Sequence, residues 1–474
     1  MTTVHVSLVG RGDLSGEIYR QLRDAILDGR LKAGERLPAT RALARNLAVS
    51  RSTVTSAYER LTGEGLAESR AGAATFVSAK LPISARKSLR PKPPTTLRAR
   101  AVWDSVSALV AFDSRAKFDF RVGIPDATLF PHLAWRRAVI RALRSLEGSD
   151  AFYEASAGSL GLRQAIADHI AITRSVKVAP EDLLITSGTQ QALDIVTRML
   201  VEPGDVVAVE DPGYTPAVHL FRSLRARVVG VRVDSEGIVV DELPANARAV
   251  YVTPSHQFPL GVCMSLARRQ ALLSWAQRHD AAVIEDDYDS EFRFSGRPLE
   301  PLQTIDRHGR VIYVGTFSKT MLPALRLGFL VMPASLRAAA VKAKFVCDWH
   351  SSAFAQPALA RFIGDGSFAR HIRKAGKVYS ERHAVITAAL SENFADHLEL
   401  VPSHFGLHVA ALARNGSAEG IASMVRRAAT LGVAVQPLSY FAVTARPRPG
   451  ITIGYGAIPT TKLEEGLRRL RKSF

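Results

Sequence analysis

From about residue 117 to the C-terminus, short apolar runs alternate with segments long enough to form helices. Five runs have the length and apolar character of buried strands: DLLITS, DVVAVED, AVYVTP, AAVIEDDYD and RVIYVGT. Strands that alternate with helices are joined by crossover connections, which produce parallel strand pairs covered on both faces. The sequence therefore predicts an α/β domain with a mostly parallel central sheet over residues 117–474.

The chain has 474 residues, too many for one ordinary domain, and its 47% hydrophobic content suits packed cores. It has no apolar run of about eighteen residues, and its N-terminus lacks a basic start followed by an apolar core. We therefore expect neither a membrane span nor a signal peptide. Two cysteines, Cys263 and Cys347, supply neither a disulfide framework nor an obvious metal site. A cytoplasmic protein without a metal is predicted.

The N-terminal region has the pattern of a small helical domain. Residues 14–29 carry apolar side chains at helical spacing, and LPATRALARNLAVSRSTVTSAYERLTGEGL adds two short helices broken at Ala48. Ser50 can cap the second of these, and its buried side comprises Val54, Ala57, Tyr58 and Leu61. ESRAGAATFVS follows as a short hairpin. Residues 12–78 are thus predicted to form a winged helix-turn-helix domain.

Positive charge is concentrated at this end of the chain. The net charge is +18; residues 1–116 hold 19 Lys and Arg against 10 Asp and Glu, or +9, and the other 358 residues share the remaining +9. This gradient favours a polyanionic partner such as double-stranded DNA, although a basic solubilising surface has the same composition. In a recognition helix, Arg51 can bind a guanine, while Ser50, Thr53 and Thr55 can bind phosphates. A capped surface helix with ordinary polar residues is the alternative.

Residues 79–116 are predicted to link the two domains. Within them, residues 79–100 contain four prolines, seven basic residues and no acidic residue. Such a segment cannot bury a core, so we expect an extended linker.

Residues 12–78 resemble the winged helix-turn-helix of the GntR family of bacterial repressors. The resemblance rests on GRLKAGERLPATRALARNLAVSRSTVTSAYERLTGEG and on the wing AGAATFV. It implies that Arg41, Arg51 and Thr53 contact DNA and that Gly72 approaches the minor groove. Ala73 and Ala74 depart from the second glycine and the polar residue that are usual in the family's wing.

The stretch GTFSKTMLPALRLG carries a lysine among phosphate-binding residue types. Lys319 follows Thr316 and Ser318 and precedes Arg326, so hydroxyl and guanidinium donors surround a reactive amine. Pyridoxal 5′-phosphate (PLP) needs such an amine for a Schiff base, a carboxylate for its ring nitrogen and donors for its phosphate. An ordinary surface lysine is the alternative for Lys319 alone.

Candidates for the other demands of PLP lie at strand ends. In AAVIEDDYD, Asp286 can reach the ring nitrogen and Tyr288 the 3-oxygen, although acidic strand ends also occur at metal sites and in solvated loops. In LLITSGTQQALDIVTRML, a strand leads into a helix through the phosphate-binding candidates Gly188, Thr189 and Gln190. In EDPGY, Tyr214 can stack on the ring or act as a turn tyrosine.

In order and spacing, these motifs resemble the fold-type I PLP-dependent aminotransferases. The resemblance implies that Lys319 forms the Schiff base and that the cofactor is held by Asp286, Tyr288, Tyr214, Thr189, Gln190, Thr316 and Arg326. TPSHQFPLG occupies the place of an asparagine-proline turn, with Phe258 at the asparagine position and His256 or Gln257 near the ring oxygen. Thr452, in GITIGYG, stands where aminotransferases carry a carboxylate-binding arginine, for which Arg446 or Arg448 can substitute.

The complete chain resembles the MocR subfamily of GntR-type transcriptional regulators, through RVGIPDATLFPHLAWRR, TPSHQFPLGV, EDDYDSEFR and GTFSKTMLPALRLGF. This resemblance implies a head-to-tail homodimer whose DNA binding responds to PLP, or to an amine or amino acid captured as an aldimine. The alternatives are an active aminotransferase with an accessory DNA-binding domain, or a constitutive DNA-binding protein with an unused cofactor fold.

Overall fold

The computed structural model describes residues 6, 13–70, 74–79, 98–106, 116–145, 153–294, 300–444 and 448–474. The chain folds as two compact units, Met1–Ala99 and Arg100–Phe474, which are described separately below. Residues 80–97 and 107–115 of the predicted linker lie outside the described residues.

The smaller unit is a three-helix bundle with a hairpin. Its elements are α1 Leu14–Leu27, α2 Thr40–Asn46, α3 Arg51–Gly63, β1 Ala67–Arg70 and β2 Ala74–Val77. Ala48, at φ 53°, turns the chain between α2 and α3, and the Ser50 side chain caps α3 by accepting a hydrogen bond from the Thr53 amide. β1 and β2 pair antiparallel as the wing. The predicted winged helix-turn-helix is confirmed, and Gly72 lies outside the described residues.

The larger unit alternates strands and helices. Its strands are β3 Phe118–Asp119, β4 Leu183–Thr186, β5 Val206–Asp211, β6 Arg227–Asp234, β7 Gly237–Ile238, β8 Ala247–Val252, β9 Ala282–Asp287, β10 Val311–Thr316, β11 Gly328–Val331, β12 Leu398–Leu400, β13 His408–Ala413, β14 Val433–Ala434, β15 Gln436–Pro437 and β16 Gly450–Gly454. Its helices are α4 His132–Ser145, α5 Leu160–Arg174, α6 Thr189–Leu200, α7 Thr215–Ser223, α8 Leu266–Arg278, α9 Leu302–Ile305, α10 Arg337–Asp348, α11 Ala355–Gly364, α12 Ser367–Asn393, α13 Ala418–Thr430 and α14 Thr460–Arg471.

The main sheet has the strand order β4-β11-β10-β9-β8-β5-β6-β7. The pairs β6–β5, β5–β8, β8–β9 and β9–β10 are parallel, whereas β7 and β11 run antiparallel to their neighbours. The five predicted strands correspond to β4, β5, β8, β9 and β10, so the mostly parallel sheet is confirmed. Each of these five strands is almost wholly buried, which explains their continuous apolar character.

A second sheet, β12-β13-β16-β15, forms a smaller region with α12, α13 and α14. The parallel pair β3–β14 joins the start of the larger unit to this C-terminal region. Phe118 and Phe120 are buried in the same core. Within the described part of the chain, no helix is both long and apolar enough to cross a membrane.

Candidate functional site

The topology collects polar segments at one edge of the main sheet. Because β5, β8, β9 and β10 are parallel, their carboxyl ends lie along the same edge, where ligands bind in open α/β sheets. The segments that end or follow these strands are 211–214, 253–257, 286–289 and 316–319. The predicted cofactor residues on four separate strands are thereby brought together.

Lys319 lies in the turn after β10 with its side chain directed inward. Its Nζ donates a hydrogen bond to the Gly123 carbonyl oxygen at 2.6 Å. Burial lowers the pKa of Lys319, and the negative charges of Asp289 and Asp286 partly oppose that shift. A lowered pKa enlarges the neutral fraction of the amine, which is the nucleophilic form.

Asp286 is buried near the end of β9, with 4% of its surface exposed. One carboxylate oxygen accepts a hydrogen bond from the Tyr251 hydroxyl at 2.7 Å, and the other is buried without a hydrogen-bond partner. Burial raises the pKa of Asp286 to about 7. A buried acceptor left unpaired is costly, so this oxygen suits a ligand that brings an N–H group, such as a protonated ring nitrogen.

Aromatic rings form a continuous wall beside these two residues. Tyr214 packs edge-on against Phe258 with centroids 5.7 Å apart, and Phe258 packs against Tyr288 at 6.0 Å. Tyr288 stacks on His256 at 5.9 Å, and its hydroxyl donates to the His256 carbonyl oxygen at 2.9 Å. Phe258, at the position where an asparagine was expected, therefore contributes packing and no side-chain hydrogen bond.

His256 is held by an acid. Its Nδ1 lies 3.1 Å from both carboxylate oxygens of Asp289, while its Nε2 is buried without a hydrogen-bond partner. Its ring is 4.5 Å from that of His408, and one ligand-type atom each of His256, Asp289 and His408 lie within 4.8 Å of one another. Burial, and secondarily His256, lowers the pKa of His408 well below its usual value, so His408 is neutral.

The residues predicted to hold a phosphate group lie around the start of α6. Gly188 caps this helix at φ +84°, and a Cβ atom there would lie 3.1 Å from Nη1 of Arg326. Arg326 donates from Nη2 to the Ser187 carbonyl oxygen at 2.6 Å. The guanidinium group is thus fixed beside the free N–H groups of a helix N-terminus that begins at Thr189, an arrangement that attracts anions.

Other predicted residues form local bonds. Thr316 donates from its hydroxyl to that of Ser318 at 3.1 Å and accepts from the Ser318 amide at 3.2 Å, which orders the turn before Lys319. Gln190 donates to the Pro216 carbonyl oxygen at 2.9 Å, so its amide group is directed to the start of α7.

A buried lysine anchors the loop that precedes α6. Lys344, on α10, donates to the Gln191 side-chain oxygen at 2.8 Å and to Asp348 at 2.6 Å. The same Gln191 oxygen accepts from the Ser187 amide at 2.7 Å. The loop that carries Ser187 and Gly188 is therefore anchored to α10.

Several of these contacts escaped the sequence analysis. Tyr251 had a signal, since a tyrosine in the buried run AVYVTP needs a partner for its hydroxyl. Asp289 and Lys344 looked like ordinary polar residues, and Gly123 takes part through its carbonyl group, which leaves no side-chain signal in a sequence.

At the predicted position of a substrate-binding arginine, Thr452 is buried in β16 and donates to the Gln436 carbonyl oxygen at 3.3 Å. Arg448 points to Glu399, with 3.5 Å between Nη2 and Oε2 and more than half of each side chain exposed. Arg446 lies outside the described residues.

The predicted DNA-contacting residues lie on α2 and at the start of α3. Arg41 and Arg51 are exposed in the first turns of these helices. The Ser50 hydroxyl is 2.7 Å from that of Thr53, and Thr55 donates to the Arg51 carbonyl oxygen at 3.0 Å. Arg41 and Arg51 therefore present exposed guanidinium groups on this unit.

Fold and site together define a DNA-binding unit joined to an aminotransferase-like unit. Residues 14–77 match the family described as bacterial regulatory proteins, gntR family, and residues 116–470 match aminotransferase class I and II. The chain is 37% identical to the probable rhizopine catabolism regulatory protein MocR of Rhizobium meliloti, over 97% of this chain and 93% of that one. It is 29% identical to the pyridoxine biosynthesis transcriptional regulator PdxR of Corynebacterium glutamicum, over 93% of this chain and 91% of that one.

The larger unit is also similar to solved enzymes. A kynurenine aminotransferase from Pyrococcus horikoshii superposes with a TM-score of 0.71 at 28% identity, covering 80% of this chain and 95% of the enzyme. The chain belongs to the MocR subfamily of GntR-type transcriptional regulators.

Proposed function

We propose that this regulator binds PLP around Lys319, and that PLP, or an amine or amino acid captured by it, sets how the N-terminal unit binds operator DNA. The observation that carries the proposal is the pairing of a partly buried amine with a buried acid. Lys319 and Asp286 interact electrostatically, and Asp286 keeps one buried oxygen without a partner. A carboxylate that lacks a donor and an amine with a lowered pKa meet two separate demands of the same cofactor.

Each end of the cofactor has candidate contacts in this site. Asp286 would hold the ring nitrogen and Tyr214 would face the ring. The Tyr288 hydroxyl would turn from the His256 carbonyl oxygen to donate to the ring oxygen. Arg326, with the amides at Thr189, would hold the phosphate. When bound, PLP supplies an aldehyde that captures amines and a ring that withdraws electrons.

The protein's own groups prepare this chemistry. Asp286, with its pKa near 7, can ionise when a cation lies beside it, and the ion pair keeps the proton on that cation. The Tyr288 hydroxyl is oriented by His256, which Asp289 orients in turn. Desolvation of Lys319 lowers its pKa, which favours the neutral amine.

The DNA-binding part of the proposal rests on the exposed arginines. Arg51 would bind a base edge or phosphate in the major groove and Arg41 a phosphate, with Gly72 approaching the minor groove. Arg51→Ala should weaken binding to the upstream DNA of the protein's own gene and reduce the dependence of binding on salt concentration. Arg30→Ala is the matched control, because Arg30 already bonds to Asp28 at 2.8 Å. An equal loss of DNA affinity in both variants would show that Arg51 does not contact the DNA.

We also propose that the protein acts in the cytoplasm as a symmetric head-to-tail homodimer. The larger unit exposes apolar side chains along one face of α4, with Leu133 at 64%, Ile140 at 43% and Leu143 at 44% exposure. Such a stripe suits a protein interface. Light scattering should give twice the 51.4 kDa chain mass, and a monomer at micromolar concentration would contradict the dimer.

The central experiment is a DNA-binding titration at fixed salt, with and without PLP. We expect PLP to change the affinity for the upstream DNA, and Lys319→Ala to abolish that response while DNA binding persists. Lys342→Ala is the matched control, because Lys342 is an exposed lysine on α10. The sensing proposal would be refuted if the DNA affinity of the wild type were unchanged by PLP and also unchanged by amines added to the PLP-loaded protein.

The reaction of an aldehyde with a primary amine indicates which classes of compound can act as effectors. Either PLP itself or a primary amine can react at this site, and the name of the relative PdxR refers to pyridoxine biosynthesis. Vitamin B6 metabolism is therefore the first response to examine. Robust conversion of an amino acid to its oxo acid would instead favour aminotransferase activity, against which the buried Thr452 argues.

A further inference from the structure

One short segment of the larger unit reaches the reactive lysine through its backbone. Residues 120–126, named here the bridging segment, place the Gly123 carbonyl oxygen 2.6 Å from Nζ of Lys319. Gly123 has φ +82°, and a Cβ atom there would lie 3.4 Å from Nζ. Glycine thus allows the backbone turn that presents a carbonyl oxygen directly to the amine.

The bridging segment is fixed at both ends. Phe120 donates from its amide to the Ala434 carbonyl oxygen at 2.8 Å. Asp126 donates from its amide to the Tyr379 hydroxyl at 3.0 Å, and its carboxylate accepts from Arg382 at 2.6 Å. Between these anchors, Val122 donates from its amide to the Gln436 side-chain oxygen at 3.1 Å, and Gly123 accepts from Lys319.

The same stretch of chain leads back to the linker. The bridging segment begins four residues after position 116, where the predicted linker ends. Further upstream, a 3₁₀ turn at Ala101–Ser105 lies against α7, the helix that begins after Tyr214. The chain entering the larger unit therefore contacts both α7 and the reactive lysine.

The hydrogens on Nζ depend on the chemical state of Lys319. When the free amine condenses with an aldehyde, its lone pair attacks the carbonyl carbon and a C=N bond forms. The carbonyl oxygen leaves as water together with two hydrogens from the nitrogen. The product nitrogen keeps at most one hydrogen, held in the plane of the C=N bond, whereas the free amine rotates to meet its acceptor.

We propose that the hydrogen bond between Lys319 and Gly123 couples the chemical state of the lysine to the chain that leads back to the linker. The bond holds the bridging segment while the amine is free, and condensation with PLP releases it. A primary amine that takes the aldehyde carbon from Lys319 returns a free amine to the lysine and restores the bond. PLP alone and PLP with an amine thus act on the segment in opposite directions. The inference rests on the proposed function, since it needs PLP at Lys319.

The test compares two ligands that fill the same site in the full-length protein. Pyridoxine 5′-phosphate carries an alcohol in place of the aldehyde of PLP, so it cannot consume the amine. Hydrogen–deuterium exchange is measured on peptides covering 120–126, with α8 as the internal control. We expect exchange in the bridging segment to be about fivefold faster with PLP than with pyridoxine 5′-phosphate, the factor that the net worth of one hydrogen bond gives. Adding a primary amine to the PLP form should slow it again.

Lys319→Met removes the N–H donors with little change in volume. In this variant the two ligands should give the same exchange rate in the bridging segment. Equal rates in the wild type, with the absorbance of PLP attached to Lys319, would overturn the inference and leave the proposed function intact. Absence of that absorbance at saturating PLP would overturn both. A difference between ligands that persists in Lys319→Met would also overturn it, because the lysine would not be its source.

Discussion

Asp286→Asn should stabilise the larger unit in the absence of PLP, by an amount that grows with pH. Burial raises the pKa of Asp286 from 3.8 to about 7. Between these two values the unfolded chain is ionised and the folded chain is protonated, so folding stability falls as pH rises. Each pH unit costs about 1.4 kcal/mol. The asparagine variant does not titrate, so its free energy of unfolding should exceed that of wild type by about 2 kcal/mol at pH 5 and by about 4 kcal/mol at pH 8.

The assay is urea unfolding of the PLP-free protein at both pH values, followed by tryptophan fluorescence. The four tryptophans all lie within Arg100–Phe474, so the signal reports on the larger unit. Asp241→Asn is the control, because Asp241 is exposed and the same change of residue should have little effect there. A variant no more stable than wild type at pH 8, or an excess that is equal at both pH values, would refute the reasoning. The same variant should bind PLP more weakly, since its amide cannot hold a cationic ring nitrogen.

Three further substitutions test the supports of the site and of the recognition helix. Arg174→Met should lower the free energy of unfolding by about 3–5 kcal/mol in urea titrations, because Asp287, 2.8 Å away, would remain buried with only the Tyr313 and Ser290 hydroxyls as donors and no cation; a loss under 1 kcal/mol would contradict this. Ser50→Ala should destabilise the smaller unit by about 1 kcal/mol by removing the α3 cap, with thermal unfolding as the measure, and an unchanged midpoint would count against the cap. Lys344→Met should weaken PLP binding in spectroscopic titrations by loosening the loop at Ser187, and unchanged affinity would dismiss that role.

Much of the fold was predictable because the sequence pattern and the environment of each element agree. The five buried strands are continuous apolar runs, and parallel strands covered by helices need no polar alternation. In the smaller unit, Ser50 and the apolar positions of α3 located the recognition helix. The antiparallel strand β7 was not predicted, because two residues give too short a period to recognise.

The sequence nominates site residues only where the side chain itself matches a chemical demand. Lys319, Asp286 and Arg326 stood out because their residue types match a chemical demand. The environment of Lys319 did not, since its acceptor is the carbonyl group of Gly123, nearly two hundred positions away. The motif that contains Thr189 and Gln190 predicted the start of a helix. It did not predict the direction of the Gln190 side chain, which depends on Pro216 in a neighbouring helix.

The parallel pairing of β3 with β14 also constrains how the chain is made. Phe118 pairs with Val433, so 315 residues must be synthesised before the start of the larger unit finds its partner strand. At about 5–20 residues per second, that delay lasts roughly 15–60 seconds. The smaller unit contains all its own contacts within the first hundred residues and can fold during this interval. On the ribosome, the part that reads DNA is therefore complete well before the part that would report on PLP.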